Sequence, residues 1–262
     1  MKTRPTSVAG TFYPRDPSHL EQLLETYFQG KAPGVAAVGI VSPHAGYVYS
    51  GETAAAAFSA IPAEFDGTFV ILGPSHRGFL TCASAIPWET PLGTVDVDPL
   101  LVHALEIEVD ERSHREEHSI ETQVPFIKYR FPRARIAPIM VGDQDMPAAV
   151  LLGGRIARAV RETGANVRIV ASSDFSHYVP EQRARSDDLY AIEGLRDLDI
   201  PEFYRRIEER GVSACGYGPI AAMCTTCAAA GAREARLIRY STSGDITRDT
   251  REVVGYAAIA VV

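Results

Sequence analysis

Three short apolar runs in this chain end in the same way, and that repetition constrains the fold more than any other feature of the sequence. The first, in VGIVSPHAGYVYSG, delivers Ser42 and His44. The second, in FVILGPSHRG, delivers Ser75 and His76, and the third, in RIVASSDFSHY, delivers Ser172, Ser173, Asp174 and His177. Short, continuous β-branched runs bounded by turn residues read as strands buried on both faces. Such strands, alternating with helices, build a sheet covered on both sides, and ligands bind in the crevice beyond the carboxyl ends of its strands. Three strand ends rich in Ser, His and Asp therefore predict one crevice lined by imidazoles and a carboxylate.

The rest of the chain fits this frame. Asp16-Pro17-Ser18 caps a helix whose face carries Leu20, Leu23, Leu24, Tyr27 and Phe28, and Gly30 ends it. Strands are predicted over 35–41, 68–72, 136–141, 167–171, 236–240 and 253–261. Helices are predicted over 52–60, 99–107, 119–129, 148–162, 181–195, 202–210 and 219–230, with Pro125 kinking or splitting the third. With no linker, repeat or low-complexity tract, residues 1–262 read as one α/β domain with a mostly buried sheet and helices on both faces.

Charge excludes one class of partner. Lys and Arg number 26 against 33 Asp and Glu, a net charge of −7, whereas nucleic-acid backbones require clustered cations. The basic stretches at Arg130 to Arg135 and Arg205-Arg206 alternate with acids and apolar residues and read as solvated surface. No apolar run approaches the roughly 18–20 residues of a membrane span. MKTRPTSVAGTFYP has no apolar stretch behind its charges, so no signal peptide is expected and the cytoplasm is the default location. Four unevenly placed cysteines make no disulfide framework. Cys82, Cys224 and Cys227 read as small core residues. No nucleotide cofactor is expected.

Of the seven histidines, His19, His103 and His114 are assigned to polar helix faces or loops with structural roles. EEHSIETQVPF adds Glu117, His118 and Glu121. On a helix Glu117 and Glu121 share a face, either as acceptors that orient a ligating imidazole or as acids complementing a helix start. Cys215 opens CGYGPIAAM, just ahead of a helix, where the dipole is expected to lower its pKa and make it a ligand or nucleophile. Two imidazoles and a thiolate suit Fe(II), Cu or Zn; two imidazoles and a carboxylate, from Asp174 or Glu117, suit a non-haem iron triad. The residue types leave the third ligand open. Tyr47 and Ser75, with Glu117 and His118, are candidates for the pocket wall. A serine hydrolase is disfavoured by the absence of a G-x-S-x-G turn.

Taken together, VAGTFYP, SPHAGYVYSG, LGPSHRG, EEHSIETQVPF, SSDFSHY, CGYGPI and STSGD resemble the Memo-like protein family, in the family's order and over nearly the whole chain. That family is similar in fold to the class III extradiol ring-cleaving dioxygenases, which implies an α/β/α sandwich around a mixed sheet. The resemblance implies metal ligands at His44, His76 and Cys215, with His177 as catalytic acid/base and Asp174 beside it. The dioxygenases complete their iron site with a glutamate where this chain has Cys215, a softer and oxidisable donor that favours ions such as copper. The implied function is a metal-dependent redox protein, using Fe(II) or Cu and O2 on a small organic substrate. One alternative is a binding module for phosphorylated or anionic peptides, with Arg77 and the helix start after Gly218 as anion donors; another is a zinc-type hydrolase. The chain resembles the prokaryotic form, which implies a functional link to a radical S-adenosylmethionine protein.

Overall fold

The computed structural model describes residues 2–31 and 35–262; residue 1, which opens the stretch read as free of a signal peptide, lies outside that range. Ten strands are found among the described residues: β1 (Gly39–Ser42), β2 (Thr68–Pro74), β3 (Cys82–Ala83), β4 (Trp88–Thr90), β5 (Gly93–Val95), β6 (Arg135–Val141), β7 (Val167–Ser172), β8 (His177–Val179), β9 (Ala235–Thr242) and β10 (Val253–Val261). The helices are α1 (Pro17–Phe28), α2 (Tyr47–Ser59), α3 (Pro99–Ala104), α4 (Glu111–His114), α5 (His118–Glu121), α6 (Val124–Arg130), α7 (Met146–Thr163), α8 (Glu181–Glu193), α9 (Ile200–Arg210), α10 (Tyr217–Ala229) and α11 (Gly244–Thr247).

The main sheet runs β3-β6-β2-β7-β1-β10-β8, with β9 also pairing β10. β6, β2, β7 and β1 are mutually parallel, whereas β10 is antiparallel to β1 and β3 is antiparallel to β6. Every residue of β1 and β2 is buried, so both faces of the sheet are covered. Helix α10 lies against β1, β2 and β7 and packs on α7, while α2 lies against β1, β9 and β10 and packs on α1. Because β1, β2 and β7 are parallel, their last residues Ser42, Pro74 and Ser172 reach one edge together. The antiparallel β10 begins at that edge, and β8 pairs with its first residues.

Several predicted boundaries move for physical reasons. The run at 35–41 becomes strand only from Gly39, because Val35 is 46% exposed and Ala36 turns the chain at a positive φ of 57°. Helix α2 starts at Tyr47, five residues early, and Ser50 donates to the Ala45 carbonyl in its first turn. The stretch 119–129 is split by Pro125, which takes a first-turn position in α6, where a missing N–H costs nothing. His114 is fully buried rather than on a polar face; its Nε2–H donates to the Cys82 carbonyl at 3.2 Å and its ring packs edge-on against Trp88. Its role remains structural. Cys82, Cys224 and Cys227 are buried and free, and burial pushes the Cys224 thiol up to about 12. Among the described residues no helix is long and apolar enough to cross a membrane.

Candidate metal centre

His44 follows β1 and His76 follows β2. With His118, the first residue of α5, they can each present one ring nitrogen so that all three lie within 4.8 Å of one another. The His76 and His118 rings stack at 4.5 Å, and His44 meets both edge-on at 5.2 and 5.5 Å.

Hydrogen bonds fix the tautomers. The Gln123 amide donates to the Pro43 carbonyl at 2.9 Å, which identifies its nitrogen, and that same nitrogen donates to Ser172 Oγ at 2.8 Å. Ser172 Oγ in turn gives its only proton to the Ser119 carbonyl at 2.6 Å. Toward His44 Nδ1, 2.9 Å away, Ser172 can then only accept, so His44 carries its proton on Nδ1 and presents a bare Nε2. At His76, Nδ1–H donates to Glu117 Oε1 at 2.9 Å, again freeing Nε2. At His177, Nδ1–H donates to the Ser213 carbonyl at 2.9 Å with the same result. A ligating imidazole usually has its second nitrogen tied to an outer acceptor in this way.

Glu117 both starts a helix and orients an imidazole. It caps α5 by accepting from the Ser119 amide, and it accepts from the ring and backbone of His76. Burial opposes its charge, but these hydrogen bonds outweigh that and hold its pKa at about 2. Burial, reinforced by the neighbouring His76 and His118, holds His44 well below its ordinary value, so it stands neutral. Burial likewise lowers His118.

Cys215 lies just before α10, with its Sγ 3.2 Å from His44 Nε2. A paired exchange with Asp174 holds it there: Cys215 N–H donates to the Asp174 carbonyl at 3.1 Å, and Asp174 N–H donates to Sγ at 3.3 Å. The expected lowering of its pKa is not found. Burial and the adjacent Asp174 carboxylate push the thiol well above its ordinary value, and the helix end does not compensate. The first turn of that helix is already occupied, because Gln144 Oε1 accepts from Gly218 N–H at 2.9 Å. Asp174 accepts from His44 N–H at 2.9 Å, and its Oδ2 lies 3.9 Å from His44 Nε2; burial raises its pKa above the usual carboxylate range.

An open cleft of about 540 Å³ fronts this cluster. His44, His76, His118, His177 and Asp174 line it together with Phe12, Tyr49, Tyr178 and Tyr256. Tyr47 does not: its hydroxyl donates to the Thr122 carbonyl and its ring packs on Tyr13 and Phe126, because a helix start at residue 47 turns Tyr49 outward instead. Ser75 is off the wall too, accepting from the Phe79 amide at 2.9 Å. Glu121, paired with Glu117 by the sequence, diverges from it and bonds Arg4 and the N-terminal segment. Arg77 is engaged by Glu116 at 2.5 Å. Sequence reasoning missed Phe12, Tyr49, Tyr178, Tyr256, Gln123 and Ser213, although Phe12, Tyr49, Tyr178 and Gln123 sit inside VAGTFYP, SPHAGYVYSG, SSDFSHY and EEHSIETQVPF, stretches that stood out.

The chain matches the Memo family, described as Memo-like protein, over residues 4–260. A MEMO1 family protein of Methanococcoides burtonii is 45% identical over 265 residues, covering 98% of this chain and 99% of that protein. One from Archaeoglobus fulgidus is 44% identical over 96% of this chain and 97% of its own length. One from Nitrosopumilus maritimus is 40% identical, with 96% and 97% covered. On the family match and these whole-length similarities, the chain belongs to the Memo family.

Proposed function

We propose that the strand-end crevice holds a redox-active metal, Fe(II) or Cu, and that the protein uses it with O2 on a small organic substrate. The observation that carries this reading is the tautomer pattern: His44 and His76 have Nδ1–H tied to Ser172 and Glu117, which leaves Nε2 of each as the donor atom, in a group of three imidazoles whose ring nitrogens come within 4.8 Å of one another. Donors of this kind suit borderline transition metals. Cys215 Sγ, beside His44 Nε2, is the third donor in this reading, and the His118 ring stands 4.5 Å from that of His76 and 5.5 Å from that of His44. When bound, such a metal supplies one-electron chemistry with O2 that these side chains lack.

The chain's own residues do the remaining work. His177, with Nδ1–H given to Ser213, offers Nε2 to take a proton from a substrate hydroxyl in the cleft and to return it. Asp174 holds the His44 amide and so fixes the turn that delivers the imidazole. Phe12, Tyr49, Tyr178 and Tyr256 supply the walls against which a substrate packs. An anion-binding module is less well supported, since Arg77 is paired with Glu116 and the Gly218 amide with Gln144.

Titration with Co(II) under anaerobic conditions tests the site. Saturable binding with a thiolate-to-metal charge-transfer absorption, lost in Cys215→Ser, is expected. Absence of binding would end the metal reading, and binding with no thiolate band would move the third ligand to His118.

A further inference from the structure

The N-terminal segment is fastened to the centre by a buried ion pair that the metal reading does not use. Arg4 and Glu121, both almost fully buried, meet at 2.7 Å. The Arg4 guanidinium also donates from Nε to the His114 carbonyl at 2.8 Å and from Nη2 to the Glu117 carbonyl at 3.0 Å, and it lies 4.1 Å over the Trp88 ring. It therefore grips the backbone on both sides of the turn that presents Glu117 and His118. Glu121 collects the other strand of the clasp: the Ser7 and Val8 amides at 2.9 Å and the Tyr13 hydroxyl at 2.7 Å. Between Val8 and Tyr13 the segment doubles back, and its tip residue Phe12 sets its ring 4.7 Å from that of His118. The Phe12 carbonyl accepts from Tyr47 N–H at 2.7 Å, at the head of α2 just after His44.

An almost fully buried carboxylate that serves four donors from a distant segment is more than is needed to close a loop. We propose, resting on the metal-site reading above, that Glu121 is a positioning residue that makes residues 4–13 a wall of the metal centre: through Phe12 it fixes the ring of His118, and through Arg4 it fixes the turn that holds Glu117 against His76. Neither Arg4 nor Glu121 touches the cleft. Glu121 acts through Phe12, which lines it, and Arg4 through Glu117, which holds the lining residue His76.

The test is Glu121→Gln, which keeps the size but puts an NH2 among donors and removes the charge facing Arg4. Two readouts are taken: Co(II) affinity by anaerobic titration, and the ring-proton resonances of His118 in the metal-free protein at fixed pH, which sense the Phe12 ring. Because Glu121 touches no ligand and acts through intermediaries, its loss is expected to weaken metal binding about two- to thirtyfold, and the His118 resonances are expected to move. The control is Ile156→Ala, a buried α7 residue whose neighbours Ala157 and Val160 lie beside Val38 and Val167 at the opposite end of the strands. It is expected to lower the melting temperature while leaving both readouts at their native values. A folded Glu121→Gln protein with native affinity and native His118 resonances would overturn the proposal, as would an equal loss of affinity in the control. If Glu121→Gln fails to fold, Tyr13→Phe removes a single hydrogen bond to Glu121 and is read the same way. If the native protein binds no Co(II), the metal reading falls, and the His118 resonances alone decide whether Glu121 sets that ring.

Discussion

At His44 and His76 the two ring nitrogens have separate duties: Nδ1 is anchored to an outer acceptor, while Nε2 is left as the donor atom, which at His44 meets Cys215 Sγ at 3.2 Å. That division gives Glu117 a defined job. Glu117→Gln, which cannot supply the same charge to His76 Nδ1–H, is expected to weaken metal binding about 10–100-fold with the fold retained, as measured by metal titration beside circular dichroism. His114 offers a pH test away from the cleft. Burial lowers its pKa to about 4, so the folded protein keeps it neutral while the unfolded chain protonates it near its ordinary value of 6.5. Above about pH 6.5 the residue is uncharged in both states and the shift costs nothing; as pH falls toward 4 the unfolded chain binds a proton the folded protein refuses, a destabilisation that grows to about 3 kcal/mol. In His114→Gln that acid limb is expected to flatten in urea melts taken at pH 7 and pH 5; an unchanged slope would contradict the assignment. The strand-end histidines were legible because position in the chain alone puts them at one edge. The Cys215 pKa was not, because the helix-end effect is visible in sequence whereas the burial that overrides it depends on how distant segments pack.

At the scale of elements, the turn that carries Cys215 relies on close backbone approach. A Cβ on Gly216 would lie 2.4 Å from the Ser172 carbonyl oxygen and 2.7 Å from Ser173 Cβ, so α10 and the end of β7 can meet only at a glycine. Overpacking of this kind costs about 1–3 kcal/mol. Gly216→Ala is expected to lower the melting temperature by about 5 °C, given about 2–4 °C per kcal/mol for chains near this size, and to weaken metal binding by displacing Sγ. Calorimetry and Co(II) titration of one preparation check both. Most elements were legible from hydrophobic runs and caps: Asp16 caps α1, and the split at Pro125 follows from its missing N–H. The start of α2 was not, since Tyr47 to Gly51 carries no helix signal stronger than its neighbours. Nor was the clasp of Arg4 on Glu121, because their 117-residue separation leaves no local pattern to read.

Across the whole molecule, the parallel core strands bring three polar termini to one edge, and β10, β8 and the N-terminal segment close the cleft around them. A ligand that binds only this assembled edge stabilises the entire fold. At 100 times its Kd such a metal adds about 2.7 kcal/mol, so anaerobic Fe(II) or Cu is expected to raise the melting temperature by about 5–10 °C. The rise should vanish in His44→Ala.

The most direct measurement is metal content by elemental analysis after anaerobic purification, comparing the native chain with His44→Ala and Cys215→Ala. Near-stoichiometric iron or copper in the native protein, lost in both variants, is the expected result. Negligible metal in all three, or equal metal retained without His44, would contradict a redox metal centre at the strand ends.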